Sequence, residues 1–386
     1  MVVTPTVTRL TAVLAVLLLA APLAAEAQTA GKVARVATLW TTSRAIAQPY
    51  LDAIEEGLRE LGWVAGRNVV LEHRFSDGHP ERLPGLAAEV IAWKPDVVVA
   101  PLNTGALALK RLTTTMPIVF IVSFDPVAAG LAASLARPGG NATGMTGAGP
   151  ETSAKRLQML RELAPAARRV GVIWNAAFPG LQDVRKAVDD AAPGLGMTIV
   201  EGGVRDPEGF PRAFEALTRE RVDALIVFGD NLTYLRRQEI IEVAARNRWP
   251  AIYTTREFCD DRGFVCYGVN LRAQYKRGAV FIDKILRGAS PAAIPIEQPT
   301  IYNLVINLRT AKALGVTIPP SLAQRGSITR KPDWRRTGGG AVFELDQCGG
   351  GSAVAGAADA ASRGHCAADR PVDSRDSAVC PGADPD

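Results

Sequence analysis

The chain of 386 residues is poor in the side chains that most metal and acid-base chemistry requires. It has three histidines and five cysteines, and no Cys-x-x-Cys or His-x-x-x-His pair supplies metal-ligand spacing, so a zinc centre is excluded and no metal is expected. The same cysteine count is too low for a disulfide scaffold. Gly139-Gly140 and Gly144 do not form a Gly-x-Gly-x-x-Gly fingerprint, and neither a phosphate-binding Gly-x-x-x-x-Gly-Lys-Ser/Thr loop nor a Gly-x-Ser-x-Gly elbow occurs. No cofactor and no catalytic residue are therefore expected. His73 and His79, around Phe75-Ser-Asp-Gly78, read as surface-loop residues. A net charge of +5 with no dense Lys/Arg stripe excludes a nucleic-acid footprint.

What is present is a chain able to bury a large core, at 47% hydrophobic and 22% charged. Arg9, the apolar run Leu10 to Ala21 and the small residues around Ala25-Glu26-Ala27 form a secretory signal with cleavage after Ala27. The run is shorter than the roughly 20 apolar residues that span a bilayer, and no second such run follows, so a soluble periplasmic product is expected.

From Val33 onward, short β-branched runs alternate with stretches of helical period, which is the pattern of repeated β-α units around a parallel sheet. The spacing predicts strands at Val33 to Leu39, Asp96 to Ala100 and Ile118 to Val122, with helices at Tyr50 to Leu61 and Glu81 to Lys94. A glycine-rich loop, Arg137 to Gly144, then precedes a helix at Ser153 to Leu163. A second series has strands at Val170 to Trp174, Thr198 to Gly202, Ala224 to Phe228 and Ala251 to Tyr253, with helices at Leu181 to Ala192, Glu208 to Glu220 and Leu235 to Arg248. The later elements, Val265 to Val269, Leu271 to Leu286 and Tyr302 to Asn307, are too few for a third domain and are expected to complete the two sheets. The expected organisation is a signal at 1–27, a first lobe at 32–145 plus 271–300, a second at 146–270 plus 301–322, and a disordered tail at 323–386.

In open α/β sheets, ligands sit beyond the carboxyl ends of the strands. Those positions carry Thr41-Thr42-Ser43, Asn103-Thr104 and Ser123-Phe-Asp125 in the first series, and Asn175, Asp230-Asn231, Thr254 to Glu257 and Tyr267 in the second. Hydroxyls and amides suit an anion, whereas Asp125, Asp230 and Glu257 suit an ammonium or hydroxyl, so both ends of an amino acid could be held. Each such residue is equally suited to a helix cap or turn, and the recurrence in both series is what points to a cleft. Cys259 and Cys266, with six residues between them, are either a disulfide in an exported body or two unpaired thiols.

The segment Ser123-Phe-Asp-Pro-Val-Ala-Ala-Gly-Leu through Arg137-Pro-Gly-Gly-Asn-Ala-Thr-Gly144 resembles a signature of the ABC-transporter substrate-binding proteins of the tryptophan or aromatic amino-acid-binding type. Leu61-Gly-Trp-Val-Ala-Gly-Arg-Asn68, Pro250-Ala-Ile-Tyr253, Arg256-Glu-Phe258, Tyr267-Gly268, Ile285-Leu-Arg-Gly288, Pro295 to Thr300 and Asn307 to Gly315 extend it over about Lys32 to Leu322. The resemblance implies a type I periplasmic-binding fold, with two doubly wound parallel-sheet lobes joined by three crossovers. It also implies a protein that closes on a small solute and delivers it to permease subunits in the membrane, and a protein that must hinge and dock is expected to work as a monomer. Carried over position by position, the cleft would be lined by Thr42, Ser43, Asn103, Thr104, Asp125, Asn175, Asp230, Glu257 and Tyr267. Pro101-Leu-Asn-Thr-Gly105 and Cys266 depart from the usual pattern near the ligand, and the tail has no counterpart. The competing functions are a sensor that reports ligand occupancy to a membrane receptor and an α/β enzyme.

Overall fold

In the computed structural model, residues 33–178 and 180–323 are described, together with the backbone of a strand at 342–348. The signal segment and the rest of the tail lie outside these residues. The first half runs β1 (Ala34–Trp40), α1 (Arg44–Glu60), β2 (Val69–Phe75), α2 (Leu83–Ala92), β3 (Val97–Pro101), α3 (Leu102–Leu112), β4 (Ile118–Ser123), β5 (Ala142–Thr146) and α4 (Pro150–Leu163). Next come β6 (Arg169–Asn175), α5 (Leu181–Ala191), β7 (Thr198–Val204), α6 (Gly209–Arg219), β8 (Ala224–Val227), α7 (Asn231–Leu235) and α8 (Arg237–Arg246). The remainder is β9 (Ala251–Tyr253), α9 (Arg256–Asp260), β10 (Val265–Val269), α10 (Leu271–Leu286), β11 (Ile301–Asn307), α11 (Leu308–Leu314), α12 (Pro320–Ala323) and β12 (Val342–Cys348).

Two sheets result. The first, in the order β2-β1-β3-β4-β5, is parallel throughout. The second, in the order β12-β11-β10-β9-β8-β6-β7, is parallel except at β11 and β12, which pair antiparallel. Strands buried on both faces read as continuous apolar runs, and the period of two divides each run between two cores. Val36, Val97, Val99, Val119 and Ile121 pack with α1 and α10, while Ala37, Leu39, Val98, Ala100 and Phe120 pack with α2 and α3. In the second sheet, Val172, Ile226 and Ile252 face α4 and α5, and Ile173, Leu225 and Val227 face α6 and α8.

The chain passes between the lobes three times: from β5 to α4, from β10 to α10, and before β11. Two of these passages run side by side, because Thr146 N–H donates to the Glu297 carbonyl and Glu297 N–H to that of Gly144.

Several elements differ from the sequence reading. α1 begins at Arg44 and carries Pro49 inside it, where a proline argues for a later start. β2 is an edge strand, Val-Val-Leu-Glu-His-Arg-Phe, whose polar residues hide it, so His73 belongs to a strand and is not a loop residue. α3 follows β3 with no side-chain cap to announce it. β5 falls partly in the supposed glycine loop. There Gly144 has φ 148°, and an added Cβ would come within 1.9 Å of the Phe120 carbonyl oxygen, so glycine is a requirement of this strand's approach to β4. Val342–Cys348, within the tail expected to be disordered, pairs with β11 from Asn307 to Ile301. Cys259 and Cys266 form a disulfide, with Cα atoms 6.0 Å apart, which ties α9 to β10.

Candidate functional site

The carboxyl ends of both sheets meet in a cleft of about 950 Å³, part of it open to solvent. Its first-lobe wall is aromatic. Trp40 at the end of β1, Tyr50 on α1 and Tyr275 on α10 stack with centroid separations of 5.4 Å (Trp40–Tyr275) and 4.7 Å (Tyr50–Tyr275). Trp40 is fixed by its own sheet: its indole N–H donates to Thr38 Oγ1 at 2.8 Å, and Thr38 meets His73 Nδ1 at 2.8 Å. Burial, followed by the Arg44 charge, pushes the His73 pKa down to about 4, so the ring is neutral near pH 7 and accepts from the threonine hydroxyl at Nδ1.

The opposite wall carries Phe228, Asp230, Asn231, Tyr234, Thr254 and Thr255, with Arg156 entering from α4. Asp230 caps α7, its Oδ1 accepting from the Thr233 N–H and Oγ1, and Asn175 Nδ2 donates to its Oδ2 at 2.5 Å. These bonds orient Asp230, which lines the cleft. Burial raises its pKa, and the bonds from Thr233 and Asn175 offset part of that rise. The Thr255 hydroxyl is buried at the cleft and has no protein partner.

Arg156 is 1% exposed, and its Nε donates to the Tyr267 carbonyl at 2.8 Å. Burial lowers its pKa to about 10, which leaves it charged at neutral pH. Among the described residues, two hydrogen bonds join the lobes across the cleft: Tyr50 O–H donates to Glu257 Oε1, and Asn231 Nδ2 donates to Thr41 Oγ1. Glu257 Oε2 is buried without a partner.

Of the nine residues expected at the cleft, Thr42 and Asp230 line it. Asn175 stands behind Asp230 as its hydrogen-bond donor. Glu257 sits at the rim, joined to Tyr50. Tyr267 contributes its carbonyl to Arg156 while its ring stacks on Tyr302 at 6.0 Å. Asn103 is fully buried and spends its amide on the turn after β4, accepting from Ser123 Oγ and the Phe124 N–H and donating to the Phe124 carbonyl. The Thr104 hydroxyl is buried with no partner and does not line the cleft, and Ser43 lies at the head of α1 without a side-chain cap bond. Asp125, at φ 38°, accepts from the Ala128 N–H and borders a separate hollow near the crossovers.

Sequence reasoning missed the aromatic stack and Arg156. A signal for the latter was present: Ser153, Arg156, Leu157, Leu160 and Leu163 fall on the buried face of α4, where an arginine is out of place unless something needs its charge.

A solved structure of a conserved domain protein from Vibrio cholerae matches this chain with a TM-score of 0.72 at 24% identity, covering 76% of this chain and 98% of the other. An ABC domain in complex with L-Trp from Streptococcus pneumonia matches with a TM-score of 0.71 at 22% identity, covering 75% and 97%. These likenesses carry the fold, which is the type I periplasmic-binding arrangement. A tyrosine-binding protein of Clostridioides difficile is 27% identical over 277 residues, 70% of this chain and 79% of the relative. The family model described as ABC transporter substrate binding protein matches residues 43–328, and with the two-lobe fold and its cleft this places the chain in that family of solute-binding components of ABC importers.

Proposed function

We propose that the cleft takes an amino acid or related carboxylate with an apolar, aromatic body, closes over it, and presents it to the permease of an importer. The observation that carries this reading is the pairing of a stacked aromatic wall with a buried, pre-oriented Asp230 lining the opposite wall of the same cleft. Aromatic faces favour an aromatic or aliphatic body, and the aspartate favours an ammonium. Relatives described as binding tyrosine and L-Trp support the same class. In this reading Thr42 and Asp230 touch the ligand, Asn175 positions Asp230, and Glu257 acts in closure. Asn103 and Asp125 hold the turn after β4, Tyr267 holds Arg156 through its carbonyl, and Ser43 and Thr104 are given no ligand contact. The protein works as a monomer, binding and releasing its solute unchanged, after export and removal of residues 1–27. The Cys259–Cys266 disulfide supports an oxidising compartment.

The test is a thermal-shift screen of the mature chain against L-tyrosine, L-tryptophan, L-leucine, indole-3-propionate and myo-inositol, since a ligand that binds only the folded state raises its stability. Stabilisation by an amino acid or aromatic acid, with Asp230→Ala weakening the amino acid about ten- to a hundredfold, is the expected result. A response to myo-inositol alone would replace this reading with a sugar or polyol one.

A further inference from the structure

The cleft contains a buried cation that the fold does not explain. Arg156 lies in the interior at 1% exposure and lines the cleft, yet no carboxylate among the described residues forms an ion pair with it. Removing a guanidinium from water without a counter-charge is costly, and proteins ordinarily pair such groups. Its protein hydrogen bonds are few: Nε to the Tyr267 carbonyl at 2.8 Å, and Nη1 to Ser153 Oγ at 3.4 Å. Nη2 has no protein acceptor among the described residues and is not sealed off completely from the cleft. The side edge of the fork is thus held by the backbone, and the terminal Nη1/Nη2 edge keeps free N–H groups. Either edge of a guanidinium can grip a carboxylate through two parallel bonds, and here the terminal edge is the one left for it.

The other charged residue lining the cleft, Asp230, is also buried, and the two form no ion pair with each other. A largely apolar cleft with one buried guanidinium and one buried carboxyl group that do not pair with each other is the complement of a zwitterion. We propose that Arg156 is the carboxylate anchor of the ligand, with its terminal fork receiving both oxygens while Asp230 receives the ammonium. This rests on the amino-acid reading above and makes it specific: the acid group binds the guanidinium, not the hydroxyls of Thr42, Ser43 and Thr104. The Phe228 ring, its centroid 6.0 Å from the guanidinium carbon, lines the same wall and shields the pair from water.

The test is calorimetry on the mature full-length chain with L-tryptophan and L-tyrosine, set against the decarboxylated tryptamine and tyramine and the deaminated indole-3-propionate. Decarboxylation is expected to weaken binding to the wild-type protein at least a hundredfold. Arg156→Gln should lose at least a hundredfold for the amino acids while changing tryptamine binding less than threefold, a split that a merely structural arginine would not produce. Arg156→Lys, which keeps the charge and loses the fork, should fall between and serves if the glutamine variant does not fold. If tryptamine binds the wild-type protein as tightly as L-tryptophan, or if both variants hold the amino acids at wild-type affinity, the anchor is overturned and the amino-acid reading stands. If none of the three acids binds the wild-type protein, that reading falls and takes the anchor with it.

Discussion

Replacing Tyr50 by phenylalanine isolates the work done by closure. The substitution keeps the ring, and so its 4.7 Å stack on Tyr275, and deletes the hydroxyl that donates across the cleft to Glu257 Oε1. Burial, reinforced by the Glu257 charge, raises the pKa of that hydroxyl far above its usual value, so it is a donor at every working pH. In the open form both groups would be solvated, and the loss is therefore felt only when the lobes meet. A hydrogen bond to a charged acceptor is worth about 1.5 to 3 kcal/mol, and the other oxygen of Glu257 is already without a partner, so the closed form loses its compensation at this carboxylate. Glu257 is half-buried, which favours the lower end, and about 1.5 kcal/mol corresponds to roughly tenfold in the closing equilibrium. Calorimetry with L-tryptophan should show about that loss of affinity, and small-angle scattering of the unliganded protein should show a more open ensemble. Unchanged affinity together with an unchanged radius of gyration would refute the claim that this bond spans two bodies that move.

Reducing the Cys259–Cys266 disulfide, or replacing both cysteines by serine, should cost about 2 kcal/mol, low in the usual range because the closed loop is short, and a reductant titration followed by melting measures it. Gly268→Ala would bring a Cβ within 1.7 Å of the Thr254 carbonyl oxygen, so a loss of about 3 kcal/mol or more is expected, with ligand affinity falling as the Thr254–Thr255 loop is pushed; a melt within a degree of the parent would contradict it. The pKa of His73 is about 4 in the folded chain against about 6.5 unfolded, so the unfolded chain binds more protons in that window, and stability drops as pH falls from 6.5 toward 4. His73→Gln should flatten that part of the pH-stability curve, and curves that run parallel to the wild type would show that His73 does not titrate there.

The fold was legible wherever an element buries both faces. β1, β3, β4, β8 and β9 are short apolar runs whose only stable home is a covered parallel sheet. β2 was not legible, because an edge strand with Glu72, His73 and Arg74 on it lacks the apolar run that marks its neighbours. β5 was masked by Gly144, whose role depends on how closely Phe120 approaches and is invisible before the two strands are side by side. At the site, the sequence located the strand ends and their polar residue types. It could not tell whether a polar atom is free. Asn103 and Asp230 look alike as polar residues after a strand, yet one holds the turn after β4 through Ser123 and Phe124 and stays out of the cleft wall, while the other, held by Thr233 and Asn175, lines the cleft. The aromatic wall escaped for a different reason: Trp40, Tyr50 and Tyr275 belong to three elements far apart in the chain, and only tertiary packing makes them one surface.

The two hydrogen bonds that cross the cleft, Tyr50 to Glu257 and Asn231 to Thr41, are made between protein groups and require no particular ligand atom. They therefore add the same increment to the retention of every solute, whereas the contacts proposed for Arg156 and Asp230 would discriminate among solutes. On that proposal selectivity and residence time are set by separate residues, so a lineage could lengthen or shorten how long cargo stays without changing which cargo is chosen. The same independence sets an upper limit. Each added cross-cleft bond also closes the empty protein, and an empty closed protein competes for the permease without delivering anything. A small number of such bonds is what an importer that must distinguish loaded from unloaded carriers can tolerate.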